Sequence, residues 1–135
     1  MARKGKVFSL QDVGKYANIH RMRNTRPISW LKAARREFED FPEAVQSDMF
    51  DALTIAAEGG KSDKAKPFKG VDGGVFEIAL RHRGDAFRAI YAIKIDEAIW
   101  VIHAFQKKSK SGIKTPQMEV DLVRERLKRL KEALP

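Results

Sequence analysis

The sequence predicts an α+β domain: a helical hairpin packed on a small antiparallel β-sheet, a three-stranded meander plus a short N-terminal strand, with a C-terminal helix. Three observations carry this. Residues 75–106 hold three runs of strand-like patterning divided by short turn signals. The segments before and after them repeat their apolar residues at helical spacing instead. The order of elements is strand, two helices, three strands and a helix, which is not the regular alternation of a parallel α/β sheet.

Residues 1–26 read as a basic, weakly patterned extension, in which Leu10, Val13 and Ala17 mark one short helical stretch interrupted by Gly14. Pro27 ends it, and the folded domain is expected over 27–135. Ile28 and Trp30 alternate as in a short strand. Residues 31–39 read as a short helix. A second helix is expected to start from Asp40 as N-cap with Pro42 in the first turn, and to run to Glu58, where Gly59-Gly60 stops it. Val45, Met49, Ala52, Leu53 and Ala56 form its apolar stripe. Residues 61–74, rich in Lys, Asp, Pro and Gly, read as loop.

Three strands follow. In Val75 to Arg81, Phe76, Ile78 and Leu80 share one face, while Glu77, Ala79 and Arg81 share the other. Gly84-Asp85 marks a turn. In Ala86 to Lys94, Phe87, Ala89, Tyr91 and Ile93 lie opposite Arg88 and Lys94. Ala98 to Gln106 is apolar on both faces, so it is central or covered. Lys107 to Lys114 is a basic loop. Thr115-Pro116 is expected to cap a last helix carrying Val120, Val123, Leu127, Leu130 and Leu134 at 3-4-3-4 spacing.

Composition narrows the chemistry. The chain has 135 residues, 43% of them hydrophobic and 33% charged, which suits one domain with a real core. It has no cysteine, which excludes disulfides, thiolate metal sites and cysteine nucleophiles and suits a reducing cytoplasm. No apolar run approaches the roughly 20 residues of a membrane span. The net charge of +9 is unevenly spread: residues 1–26 carry +6, residues 27–58 carry −4 and residues 59–135 carry +7. A positive field so divided suits a polyanion, nucleic acid first.

The catalytic menu is short. His20, His82 and His103 stand in no metal-ligand spacing. His103, in the most apolar strand, reads as a satisfied core histidine, and His82 at a strand end is a reserve acid or base. Gly70, Gly73 and Gly74 precede a strand and lack the Lys-Ser/Thr of a phosphate loop, so they read as turn residues. No metal and no cofactor is expected. What remains is cationic. Arg81 and Arg88 lie on adjacent strands near one hairpin, where their outward faces could coincide, and Lys107 and Lys108 leave the neighbouring strand at the same end. Such a patch can hold a phosphate; the alternative is four ordinary surface charges with snorkelling stems. RNA supplies its own nucleophile, the 2′-hydroxyl, so cleavage needs a base, positive charge on the phosphorane and an acid.

Four segments together resemble a known family: Gly74-Val75-Phe76-Glu77-Ile78, Phe87-Arg88-Ala89-Ile90-Tyr91, His103-Ala104-Phe105-Gln106-Lys107-Lys108 and Lys114-Thr115-Pro116. They are similar to the phage-derived HigB branch of the RelE/ParE toxin superfamily over about residues 27–133, most specifically in the block HAFQKKSKSGIKTP. The resemblance implies a RelE-like fold and a toxin of a type II toxin–antitoxin pair, a metal-independent, ribosome-dependent mRNA endoribonuclease in the cytoplasm. Its partners would be a helix-turn-helix antitoxin, mRNA and the ribosome, with no membrane. The alternatives are a non-enzymatic ParE-like inhibitor of DNA gyrase and a non-toxic RNA-binding phage remnant.

The resemblance implies catalytic roles for Arg81, Arg88, Lys107 and Lys108, with His82 in reserve, and RNA contacts for Lys69, Arg83, Lys110 and Lys114. Arg88 either joins the phosphate site or pairs with Glu77 across the hairpin. Tyr91, on the Phe87 face, reads as a packed ring. Relatives often carry arginine two residues after the glutamate, where this chain has Ala79; Arg81, on the same face, can substitute.

Overall fold

A computed structural model describes residues 25–107 and 115–135. The stretch around Leu10, Val13 and Ala17 lies outside the described residues, as do Lys108, Lys110 and Lys114. The described chain runs β1 (Ile28–Trp30), α1 (Lys32–Glu39), α2 (Glu43–Ala57), β2 (Ala65–Pro67), β3 (Val75–His82), β4 (Asp85–Ala92), β5 (Ile99–Lys107) and α3 (Gln117–Ala133). The sheet order is β1-β5-β4-β3-β2. The meander and the helical hairpin form as the patterning predicts.

Two features differ from expectation. Residues 61–74 are not all loop: Ala65–Pro67 pairs antiparallel with β3 as a fifth strand, Lys66 opposite Glu77. Three residues ending in proline suit an edge strand and are too few to show an alternation. The sheet is also mixed, because β1 lies parallel to β5, Ile28 opposite Ile99.

The two predicted caps serve elsewhere. Asp40 closes α1, its N–H donating to Glu37 O at 3.3 Å, and Pro42 is the residue that precedes α2. Thr115 makes no capping bond to α3, which follows Pro116. The β3–β4 connection is a two-residue turn with positive φ at both Arg83 (51°) and Gly84 (87°), the type I′ geometry whose twist matches the strands.

The sheet separates two apolar layers. On one face, Ile78, Phe87, Ala89, Tyr91, Val101 and Ala104 pack on α1 and α2 through Ala34, Phe38, Val45, Met49 and Leu53. On the other, Val75, Ile90, Ala92, Ile102 and Phe105 pack on α3 through Val123, Leu127 and Leu130. β5 is covered on both sides, as its sequence requires. A register shift between Ile90 and Tyr91 places His103 opposite Ile90 and Val101 opposite Tyr91.

Because β1 is so short, it covers β5 only as far as Val101. Beyond it, side chains complete the edge. Ala104 N–H donates to Glu37 Oε1 at 3.2 Å, and Arg126 Nη1 donates to Ile102 O at 3.0 Å. Arg126 also holds Glu37 through both terminal nitrogens, at 3.0 and 2.9 Å. His103 lies between two carboxylates, Nδ1 at 2.9 Å from Glu37 and Nε2 at 2.6 Å from Glu119. It is therefore the satisfied core histidine that its strand implied, and it ties α1, β5 and α3 together. At the other end of β5, the Arg26 guanidinium donates to Ile93 O at 2.6 Å and to Glu97 O at 3.0 Å, clamping the β4–β5 connection.

Candidate functional site

Strand register builds the site. Arg81 on β3, Ala86 on β4 and Lys107 on β5 form one row across the sheet; Ala79, Arg88 and Phe105 form the next; Lys66, Glu77, Ile90 and His103 form a third. Directly opposed residues share a face, so Arg81, Arg88, Lys107 and Lys66 all stand on the α3 side. Position 79 is Arg88's cross-strand partner. An arginine there would press one guanidinium against another, and the methyl of Ala79 avoids that repulsion.

Arg88 is only 7% exposed and Glu77 3%. Arg88 Nη1 donates to Glu77 Oε2 at 2.7 Å, and the Thr115 hydroxyl donates to the same oxygen at 2.7 Å. Of the two arrangements open to Arg88, the pair with Glu77 forms. Its buried Nε has no hydrogen-bond partner among the described residues. Lys107, at the end of β5, is 7% exposed. Burial pushes its amine below the usual lysine range, and the positive charges of Arg88 and Lys66 add to that against the pull of Glu77. Arg81 stands exposed in the same row.

The structure does not bring every candidate together. His82 follows Arg81 and pairs with Asp85, which puts it on the opposite face from Arg88 and Lys107. Tyr91 also faces the helical hairpin, 1% exposed and stacked on Phe76 at 5.5 Å between ring centres. It is the packed ring that strand parity implied, and burial raises its phenol above the ordinary value. Arg83 is exposed at the hairpin tip, and Lys69 is exposed beyond β2.

Two contributors were not legible in sequence. Lys66 was hidden in a segment read as loop, although the alternation Lys64-Ala65-Lys66 was a faint signal. Thr115 was read as a helix cap, whereas its hydroxyl belongs to Glu77. Among the described residues, no group of three His, Asp or Glu side chains is placed to hold a metal ion. The arrangement can neutralise an anion at an exposed sheet end, with Arg81 outermost and a buried, bonded ion pair beneath.

Residues 36–128 match the family described as Phage derived protein Gp49-like (DUF891). The chain belongs to this Gp49-like family. Among solved structures, the Gp49-like chain is similar to a double arginine-to-alanine mutant of the E. coli toxin RelE in the free state. The TM-score is 0.56 at 17% identity, over 78% of this chain and 98% of that one. At that identity the likeness shows a shared RelE-like fold. A further match, with a TM-score of 0.41 and 17% identity, is a chain of the toxin–antitoxin complex RelBE2 from Mycobacterium tuberculosis, over 63% of this chain and 94% of that one. None of the curated protein sequences matches the Gp49-like chain. No helix among its described residues is long and apolar enough to cross a membrane.

Proposed function

We propose that this Gp49-like protein is the toxin of a type II toxin–antitoxin pair, of the HigB-like kind, and that it cleaves mRNA on the ribosome without a metal. In this reading, residues 27–135 are the toxin domain and residues 1–26 a basic extension. The observation that carries it is the convergence of Arg81, Arg88 and Lys107 on one face at one end of a RelE-like sheet. Folds host many functions, so the fold sets only the starting odds. The row supplies the chemistry.

The substrate's 2′-hydroxyl loses its proton to water and attacks the adjacent phosphorus, the P–O5′ bond breaks to leave a 2′,3′-cyclic phosphate and a 5′-hydroxyl, and the charge that builds on the phosphorane oxygens needs fixed cations. Arg81 is exposed and meets the phosphate directly. Lys107 lies beside it across Ala86 and adds a second charge. The depressed proton affinity of Lys107 also makes its ammonium a better acid toward the leaving oxygen than an ordinary lysine. Arg88, held by Glu77, acts as the support that keeps the row in place. Lys108, Lys110 and Lys114 follow in sequence as further phosphate contacts, Arg83 lies at the adjacent hairpin tip, and Lys69, level with the start of β3, makes a more distant contact. The partner that silences the protein is a helix-turn-helix antitoxin.

Primer extension on an mRNA incubated with the purified protein, with and without programmed ribosomes, tests this. Cuts that require ribosomes and disappear in Arg81→Ala and Lys107→Ala support the proposal. Cuts on naked RNA remove ribosome dependence. Growth arrest without any cut moves the target to DNA gyrase, and no arrest at all leaves a non-toxic RNA-binding protein.

A further inference from the structure

Beside the cationic row, two open grooves of about 450 and 440 Å³ lie end to end, and both are lined by Gly70 and Arg124. The first begins at Lys66, Glu77 and Thr115, within the site already described, and passes Lys69. The second continues between the loop at Asp72 and the α3 side chains Lys128 and Lys131. Their walls carry five cations and two acids. Both acids are already engaged, Glu77 by Arg88 at 2.7 Å and Asp72 by Lys131 at 2.8 Å. Lys131 is in turn engaged by Asp72, and Arg124 pairs with Asp121 at 3.1 Å, so the net positive charge of the walls rests mainly on Lys66, Lys69 and Lys128.

The two grooves meet where the loop touches α3. Gly70 has φ +94°, and a Cβ there would come within 3.1 Å of Val120 Cγ1. Glycine thus lets the loop approach α3 closely. There Arg124 Nη2 donates to Gly70 O, pinning loop to helix. On α3, Arg124, Lys128 and Lys131 follow one another at four and three residues, about 6 and 4.5 Å along the axis.

From this we infer that the two grooves form one track for the sugar–phosphate backbone of single-stranded RNA leading away from the cationic row. The inference rests on the RNA-facing part of the proposal above and extends it to a second binding region. Backbone, not bases, is the ligand. The cations are spaced along a line, while the one aromatic ring in the wall, Phe68, is 6% exposed and offers no face for stacking. Continuity with the row favours RNA over an acidic polypeptide, because one polymer then satisfies both regions.

The test uses the full chain and a short single-stranded RNA with 2′-O-methyl groups, which cannot be cut through its own 2′-oxygen. Binding is followed by fluorescence anisotropy across a salt series. Lys69→Gln/Lys128→Gln removes one exposed cation from each groove. Lys32→Gln/Arg36→Gln, on exposed positions of α1, is the control, and circular dichroism checks that all variants are folded. Each phosphate contact contributes about 0.7 to the salt slope for single strands, so the groove variant should lose about 1.4 and bind roughly tenfold more weakly near 0.15 M salt. An unchanged slope, or an equal change in the control, overturns the inference. So does a variant that loses affinity for polyglutamate but not for RNA, which would give the track to a protein partner. RNA bound with the expected slope but never cut on ribosomes keeps the track and removes the nuclease reading.

Discussion

Exchanging Glu37 for glutamine keeps the side chain's shape and removes its charge. Glu37 holds Arg126 at 3.0 and 2.9 Å, meets His103 Nδ1 at 2.9 Å and accepts from Ala104 N–H at 3.2 Å. Burial works against its ionised form, but the bonds with His103 and Arg126 outweigh it and bring the carboxyl to about 2 from an ordinary 4.5. At about 1.36 kcal/mol for each tenfold in proton affinity, a site closed to water would gain about 3 kcal/mol from that difference. The side chain is 29% exposed, and solvent screening reduces the figure to about 1.5–2 kcal/mol.

The folded value lies below the unfolded one. The stabilisation is therefore complete above about pH 4.5 and drains away as pH falls toward 2. Urea unfolding followed by tryptophan fluorescence should show Glu37→Gln less stable than the parent by about 1.5–2 kcal/mol at neutral pH. Near pH 3 the gap should shrink to under half, because there the parent has lost most of the same contribution. An equal gap at both pH values would refute the reasoning, since the loss would then come from shape and not charge. No gap at neutral pH would refute it as well.

Three further outcomes follow from the same geometry. Arg88→Ala leaves the Glu77 carboxylate buried without its cation and should cost about 3–5 kcal/mol in urea unfolding, whereas Glu77→Leu/Arg88→Met, which removes both charges, should recover most of that. Gly74→Ala forces a side chain onto a backbone at φ +83° and brings its Cβ within 2.8 Å of the Lys94 stem, so it should cost about 1–2 kcal/mol and lower the melting temperature by several degrees. Because the Lys107 amine is depressed, any cleavage that depends on its proton should fall on the alkaline side before an ordinary lysine would titrate, and Lys107→Arg should move that fall to higher pH if charge alone is needed.

Much of the fold could be read from local pattern. The strands β3 to β5 announce themselves by alternation, and α2 and α3 by stripes of buried residues such as Met49, Leu53, Val123 and Leu127. What sequence hid was mostly non-local. β2 is three residues long and carries Pro67, so its pairing depends on β3 and not on any pattern of its own. Asp40 and Thr115 have the chemistry of caps, but their positions give them other work. The cluster of Glu37, His103, Glu119 and Arg126 joins residues as far as 89 positions apart, and no motif encodes such a meeting. In the site, parity and strand ends suggest that Arg81, Arg88 and Lys107 could meet, and the register of β3, β4 and β5 puts them on one face. His82 reads in sequence as a reserve acid or base, and the pairing with Asp85 puts it on the other face, since neighbouring residues on a strand point opposite ways.

The parallel pairing of β1 with β5 has a consequence in time. Ile28 meets Ile99, a partner made 71 residues later. A chain synthesised from its N-terminus must keep Ile28–Trp30 without its strand partner while the helical hairpin, β2 and the first two meander strands emerge. Closing so long a loop carries a large entropic cost that only the completed β5 repays. The cationic row is divided in the same way, with Arg81 and Arg88 on early strands and Lys107 at the end of the last. Neither the sheet nor the row can be complete before β5 has been made, so a nascent chain carries the parts of its site long before it carries the site.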